Sequence, residues 1–303
     1  MKSERNKTIL LSAEQARDYA ARCLNVSKMV DITKISDATI CGDCFAVLPL
    51  LPSLFADLVI ADPPYNLDKR FGGSEFKTMS EADYRDYTRR WLSLVRPLMK
   101  DSGSIYVCCD WRCSGAVGDV LGEFFTVRNR ITWQREKGRG AAKNWKNATE
   151  DIWFATVGKE YTFNLDAVKV KKRVIAPYRA DGAPKDWEET EEGRFRLTCP
   201  GNFWDDITVP YWSMPENTPH PTQKPEKLLA KLILASSNAG DTVFDPFLGS
   251  GSTSVTAKKL GRRYLGVERS PDYCALAEFR LERAETDRRI QGYEDGVFNA
   301  RNL

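Results

Sequence analysis

Residues 58–65 read Leu58-Val59-Ile60-Ala61-Asp62-Pro63-Pro64-Tyr65. Leu58, Val59 and Ile60 form an apolar run suited to a buried strand, and the prolines, which cannot donate to a strand ladder, end it near Asp62. A residue before proline is held extended, so the direction of Asp62 is fixed. In an open α/β sheet, ligands bind just outside the carboxyl ends of the strands. The stretch therefore predicts a carboxylate, proline carbonyls and an aromatic ring at the lip of a sheet. Carboxylates and carbonyls only accept hydrogen bonds, which suits an amino group, and Tyr65 offers a face for a flat ring. The plainer reading is a strand closed by a tight proline turn, with Tyr65 simply packed.

Outward from this stretch the periodicity alternates between strand and helix. Residues 66–80 are rich in glycine, serine and charge and read as a loop beginning at the lip, where a lid would be useful. Ser80-Glu81-Ala82-Asp83 caps an amphipathic helix through Met99, with Tyr84, Tyr87, Trp91, Leu94, Val95 and Leu98 on one face. Ser104–Cys109 reads as a strand, Gly115–Phe125 as a helix, and Val127–Gln134 and Glu150–Val157 as further strands. Upstream, Asp37–Asp43 is a strand ending in an acid, and Ser12-Ala13-Glu14-Gln15 is a capping box opening a helix to about Leu24. This alternation argues for an α/β fold, a mostly parallel sheet with helices on both faces.

Between Arg128 and Lys146 seven basic residues face a single acid, Glu136. Arg135, Lys137, Arg139 and Lys143 lie among glycines and alanines, bracketed by Trp133 and Trp145. Such a stretch suits a phosphate backbone and an unstacked base; it equally describes a solvated loop between two core tryptophans. From Tyr161 to Met214 the periodicity weakens, but aromatics and prolines argue against disorder, and a small separate lobe is expected.

Order returns at Thr218–Pro225, followed by a helix over Glu226–Ser237, a strand over Thr242–Phe244 and the run Asp245-Pro246-Phe247-Leu248-Gly249-Ser250-Gly251-Ser252-Thr253. Gly249 and Gly251 allow close approach of backbone to ligand and positive φ. Asp245 in the turn would repel a pyrophosphate and attract a cation, and no lysine follows at phosphate-loop spacing. Glu268 closes the next strand, where an acid can hold both ribose hydroxyls. Adenosine carrying a cationic amino-acid tail is S-adenosylmethionine. The competing account is a tight turn whose glycines serve packing. A last helix from Pro271 to about Ala284 and a polar, poorly ordered tail complete the chain.

The chain has 303 residues, 42% of them hydrophobic and 29% charged, enough for a sizeable core in one large or two small domains. A net charge of +3 is too small to argue for nucleic acid without clustering of the basic residues. No apolar run is long enough for a membrane span, and the first residues lack a signal-peptide core. The eight cysteines read as reduced thiols. The spacing of Cys41 and Cys44 has no matching second pair, and His220 is the lone histidine, so no metal is expected.

Asp62-Pro63-Pro64-Tyr65, His220-Pro221-Thr222-Gln223-Lys224-Pro225 and Phe244–Thr253 together resemble three motifs of the amino-group DNA methyltransferases. Their order, catalytic motif first and cofactor loop last, is that of the beta group. Ile131-Thr132-Trp133 and the stretch after it are similar to the MboII and DpnII type modification enzymes. The resemblance covers roughly residues 37 to 285. It implies a Rossmann-like S-adenosylmethionine-dependent methyltransferase fold with circularly permuted motif order. The catalytic domain would be 37–163 with 215–285, around a target-recognition lobe at 164–214, with an N-terminal extension (1–36) and a tail (286–303). Asp62, Pro63, Pro64 and Tyr65 would be catalytic. Asp43, His220, Thr222 and Lys224 would join Asp62, Asp245, Pro246, Phe247, Gly249, Ser250, Gly251, Ser252, Thr253 and Glu268 around the cofactor. The expected reaction is methylation of the N6 of a flipped-out adenine in DNA, a leading aspartate being commoner in the adenine enzymes. Cytosine N4 is the alternative acceptor, and an inactive nucleic-acid-binding module of the same fold a third reading. A cytosine-C5 enzyme needs a cysteine beside a proline, and Cys199-Pro200 lies outside the expected sheet. The resemblance leaves room for a homodimer and a cognate restriction endonuclease as partners, in the cytoplasm of a bacterium or archaeon or in a phage-encoded system.

Overall fold

The computed structural model describes residues 5–71, 74–135, 142–175, 178–191 and 193–300. Its central sheet has eight strands: β1 (Ala38–Cys41), β2 (Ala56–Ala61), β3 (Met99–Cys109), β4 (Thr126–Gln134), β5 (Thr149–Thr156), β6 (Phe203–Trp204), β7 (Thr242–Asp245) and β8 (Arg263–Glu268). They lie in the order β1-β8-β7-β2-β3-β5-β4-β6. From β1 to β3 every pairing is parallel. On the far side β5 runs antiparallel to both β3 and β4, and the sheet as a whole is mostly parallel, as expected. Beyond them β6 adds parallel to β4.

The permuted motif order is resolved in β7, which pairs with β2 in the register Val243↔Leu58 and Phe244↔Val59. Strands almost two hundred residues apart thus deliver Asp62 and Asp245 to the same edge. Burial explains their composition: Leu58, Val59, Ile60, Val243 and Phe244 are at most 1% exposed, as expected for strands covered on both faces. The helices α1 (Ala13–Ala20), α2 (Cys44–Val47), α3 (Glu81–Val95), α4 (Ser114–Phe124), α5 (Glu226–Ser236), α6 (Ser252–Lys259) and α7 (Pro271–Thr286) complete the body. Helix α3 stops at Val95 rather than Met99 because Pro97 follows, and a single tight turn over Arg96–Leu98 leads into β3. The Ser12 capping box is present, and α1 docks on α7 through the Tyr19–Phe279 ring pair and a 2.8 Å hydrogen bond from the Tyr19 hydroxyl to Glu282.

Two segments are more ordered than their sequence suggests. The loop after Tyr65 contains a strand pair, Lys69–Phe71 with Ser74–Phe76. The tail, expected to be poorly ordered, supplies strands Tyr293–Glu294 and Val297–Asn299 to a second, five-stranded sheet with Val170–Arg173, Glu188–Thr190 and Gly193–Thr198. Asp295 and Gly296 both have positive φ, 49° and 81°, which is the two-residue hairpin turn that an Asp-Gly pair favours. Phe298 is fully buried, in a cluster with Val168, Val170, Leu234 and Ile290. Beneath it, Lys231 donates to both oxygens of Asp206 at 2.9 and 2.8 Å, and Lys227 donates to the Asn299 carbonyl. The tail is thereby tied to the segment expected to be an inserted lobe.

Candidate active site

Because β1, β8, β7 and β2 are parallel, their carboxyl ends share one edge, and each end carries an acid. Asp43 follows β1 and caps α2 by accepting from the Phe45 N–H at 2.9 Å. Glu268 ends β8, Asp245 ends β7, and Asp62 follows β2. A cavity of about 420 Å³ opens along this edge. Every expected catalytic and cofactor residue lines it except Gly251. Gly251 instead caps α6 at φ +85°, and a Cβ there would come within 2.6 Å of the Ala277 Cβ, so its role is to let the turn pack on α7.

The glycine-rich turn is held by hydrogen bonds to these acids. The Phe247 N–H donates to Asp245 Oδ1 at 2.9 Å. Gly249 N–H donates to Glu268 Oε2 at 2.9 Å, and Ser270 N–H to Glu268 Oε1 at 2.7 Å. Gly249 sits at φ +57°, and a Cβ there would reach within 3.0 Å of His220 Nε2, closing the approach between the turn and the imidazole. From behind, the buried Arg280 donates to the Ser250 carbonyl at 2.7 Å, to Ser252 Oγ at 3.0 Å and to Glu226 at 2.9 Å.

Burial dominates the electrostatics. It pushes the Asp245 carboxyl up to about 7, reinforced by the nearby Asp62 and Glu268 charges and opposed by hydrogen bonds from Thr253 and Phe247. Glu268 is raised for the same reason. Burial pushes His220 down to about 4, so its ring is neutral near pH 7. It packs edge-on against Tyr273, and its Nδ1 accepts a weak hydrogen bond from the Thr222 N–H at 3.4 Å. A pocket walled by under-solvated carboxylates favours a cation and disfavours a phosphate. Two thiols on its wall are no nucleophiles: burial raises Cys44 to about 12 and Cys108 higher still. Cys199 follows the second sheet and is exposed.

At Asp62 the two carboxylate oxygens are both engaged. Oδ1 accepts from the Tyr65 hydroxyl at 2.8 Å, and Oδ2 from the Lys224 ammonium at 2.6 Å. Tyr65 is only 8% exposed, and Lys224 Nζ lies 5.3 Å from its ring centroid. The ring is packed in the wall of the cavity beside Asp62. Its hydroxyl donates to Asp62, and burial suppresses its ionisation. The Pro64 carbonyl accepts from Tyr84 at 3.1 Å, which fixes the proline pair against α3.

The residue the sequence does not single out is Glu150. It opens β5 almost fully buried, bonds the Arg135 guanidinium, and lies 3.3 Å from the Tyr65 hydroxyl and 3.4 Å from Lys224 Nζ. A charge pair, Glu150-Asp151, at the head of an apolar strand is the one signal the sequence offers. Of the expected nucleic-acid contacts, Lys137 and Arg139 lie outside the described residues, Arg135 reaches inward to Glu150, and Lys143 is exposed. The flanking tryptophans separate: Trp133 is buried and donates to the Ile207 carbonyl, whereas Trp145 is 93% exposed. Among the described residues no cluster of histidine, cysteine or acid is arranged to hold a metal ion, and no helix is long and apolar enough to cross a membrane.

A permuted α/β sheet with an Asp-Pro-Pro-Tyr lip beside an acidic, glycine-turned pocket defines an amino-methyltransferase of the beta group. The chain belongs to the N6/N4 DNA methylase family, whose model matches residues 56–279. It is 34% identical over 248 residues to the DNA adenine methyltransferase YhdJ of Escherichia coli K12, an alignment spanning 80% of this chain and 81% of that protein. Among solved structures, the fold matches the PvuII DNA methyltransferase, described as cytosine-N4-specific, with a TM-score of 0.61 at 17% identity over 85% of this chain and 91% of that one. The M1.HpyAVI–SAM complex superposes with a TM-score of 0.51 at 22% identity, covering 80% and 98%.

Proposed function

We propose that this DNA methyltransferase transfers a methyl group to the N6 of an adenine turned out of the duplex. The observation that carries the reading is that Asp62, an acceptor for an amino group, faces the same cavity as the buried acids Asp245 and Glu268. S-adenosylmethionine supplies an electrophilic methyl on a sulfonium. Asp245 and Glu268 suit its cationic tail and ribose hydroxyls, Asp43 its adenine end, and Thr222 and Lys224, beside His220, its amino-acid end. The turn from Pro246 to Thr253 supplies the close backbone wall.

An amino group inside a stacked duplex cannot reach this cavity, so the base must leave the stack. Asp62 accepts one amino hydrogen and the Pro63 carbonyl the other. This holds the nitrogen lone pair out of the ring conjugation and in line for attack, and positioning is the main catalytic contribution. The proton that the nitrogen sheds on methylation is released beside the Asp62 carboxylate. Lys137, Arg139 and Lys143 approach the phosphates, Arg135 being taken up by Glu150, and residues 164–214 read the target. Adenine is favoured over cytosine by the leading aspartate and by the activity named for the Escherichia coli relative. Cytosine N4 is the second reading, favoured by the fold match to the PvuII enzyme. Mass spectrometry of nucleosides from DNA methylated by this chain should find N6-methyladenine; N4-methylcytosine alone would sink the adenine assignment.

Two further results are expected. Asp245 is charged above pH 7 and neutral below it, so affinity for the cationic cofactor should be full above pH 7 and weaken as the pH falls through 7. Folding responds in the opposite sense. A carboxyl raised from its unfolded value of 3.8 contributes stability at low pH that is lost as the pH rises toward 7. Calorimetric titrations of the DNA-free protein between pH 5.5 and 8.5 should show this weakening, and a flat profile would remove Asp245 from the cation site. Separately, replacing Lys137, Arg139 and Lys143 by glutamine, with Arg135 left on Glu150, should weaken binding to all DNA sequences. The salt dependence should flatten too, its slope falling by up to about 0.9 for each phosphate no longer neutralised. An unaltered slope would mean that the stretch does not touch phosphate.

A further inference from the structure

Asp62 has two donors on it, Lys224 also donates to the Tyr65 hydroxyl at 3.0 Å, and both donors lie within reach of a second carboxylate, Glu150. The Tyr65 hydroxyl is 2.8 Å from Asp62 Oδ1 and 3.3 Å from Glu150 Oε2. The Lys224 ammonium is 2.6 Å from Asp62 Oδ2 and 3.4 Å from the same Glu150 oxygen. A target amino group brings N–H donors of its own. With Lys224 in place, the incoming N–H would share Asp62 Oδ2 with the ammonium, whose charge repels a second positive hydrogen and weakens the carboxylate as an acceptor.

We propose that Glu150 is a positioning residue that takes over the Lys224 ammonium and the Tyr65 hydroxyl when the target amino group reaches Asp62. Closing 3.4 Å to an ordinary hydrogen bond moves the ammonium by roughly 0.6 Å, and a shift directed away from Asp62 lengthens the 2.6 Å contact there to about 3.2 Å, weakening it in favour of Glu150. Charge is conserved throughout, because Asp62 and Glu150 together balance Lys224 and Arg135. Burial keeps the Tyr65 phenol protonated, so it remains a donor to whichever carboxylate it faces. Glu150 is itself held by Arg135, the residue that leads directly into the basic stretch. The acceptor is thus anchored from the side on which DNA is proposed to lie. No covalent bond changes in the exchange; only hydrogen-bond partners do.

The inference rests on the reading that Asp62 accepts the amino group, and the test separates the two. Full-length wild-type, Glu150→Gln and Asp62→Asn proteins are compared in single-turnover transfer of labelled methyl from S-adenosylmethionine to unmethylated genomic DNA amplified in vitro. Cofactor dissociation constants and unfolding temperatures are measured alongside. The expected result for Glu150→Gln is a ten- to hundredfold slower transfer, a cofactor affinity within about threefold of wild type and an unfolding temperature lowered by only a few degrees, since the amide keeps the shape but cannot hold the ammonium away from Asp62. A rate within twofold of wild type, with Asp62→Asn inactive, overturns the exchange and leaves the reading of Asp62 intact. A slow Glu150→Gln enzyme that also loses stability and cofactor affinity in proportion makes Glu150 merely structural and overturns the proposal. If Glu150→Gln does not fold, Glu150→Asp decides by the same rate and affinity criteria. An active Asp62→Asn enzyme overturns the underlying reading instead.

Discussion

Asp62→Asn should lower the rate of methyl transfer roughly 10²–10³-fold, the usual loss when one preorganised polar partner of a reacting group is removed. The cofactor dissociation constant should move by no more than about threefold. An asparagine fits the same space and can keep a hydrogen bond to Tyr65 through its carbonyl. It loses the charge that now pairs with Lys224 at 2.6 Å, and its amide can turn a donor toward the incoming amino group. The pocket should survive, because Glu150 still lies within 3.4 Å of Lys224 and the cofactor wall is built from Asp245, Glu268 and the glycine turn on other strands. Single-turnover transfer and calorimetry on the same preparation check this. Turnover near the wild-type rate would remove Asp62 from the chemistry. Parallel losses of rate and cofactor affinity would make it a wall of the cofactor pocket and nothing more.

The parts of the site that are legible in the sequence are those where the chain itself breaks the pattern. Prolines end β2 at its acid, and a proline followed by the glycine turn ends β7 at its acid. Each break marks a strand's carboxyl end whatever the tertiary structure does. That the two ends are neighbours follows from the motif order, and the β7–β2 register shows the pairing. What escapes are relations between groups distant in sequence. Glu150 gains its significance from a tyrosine 85 positions away, and nothing local distinguishes it from any acid at the head of a strand. Tyr65 reads as a stacking ring from its type alone, and the sequence does not show that its hydroxyl sits on Asp62. The antiparallel β5 cannot be told from a parallel one by periodicity, since both are buried on both faces. The tail is different: Asp295-Gly296 is a legible hairpin signal, masked by a polar composition that describes the solvent face of the strands and not Phe298.

Gly251→Ala meets two obstacles at once, a left-handed backbone and the backbone of a buried helix. The residue lies in the left-handed region at φ +85°, where a Cβ costs roughly 1–2 kcal/mol. The added methyl would stand 2.6 Å from the Ala277 Cβ and 2.7 Å from the Ala277 Cα. These atoms belong to α7, whose Cys274, Ala275 and Ala277 are fully buried, so the helix cannot withdraw without opening the core. Overpacking of this kind costs about 1–3 kcal/mol. The two together come to about 2–5 kcal/mol, or several degrees in unfolding temperature for a chain of this length. The turn is also the wall of the cofactor pocket. Shifting it disturbs the hydrogen bonds from Gly249 to Glu268 and from Arg280 to Ser250, and cofactor affinity should fall at least about tenfold, or 1.4 kcal/mol. Gly261→Ala is the matched control: its φ is +73°, but nothing lies within 4 Å of its would-be Cβ, so it should lose only the backbone term and keep its cofactor affinity. Thermal unfolding with and without S-adenosylmethionine compares the pair. If the two variants behave alike, contact with α7 does not set the position of the turn.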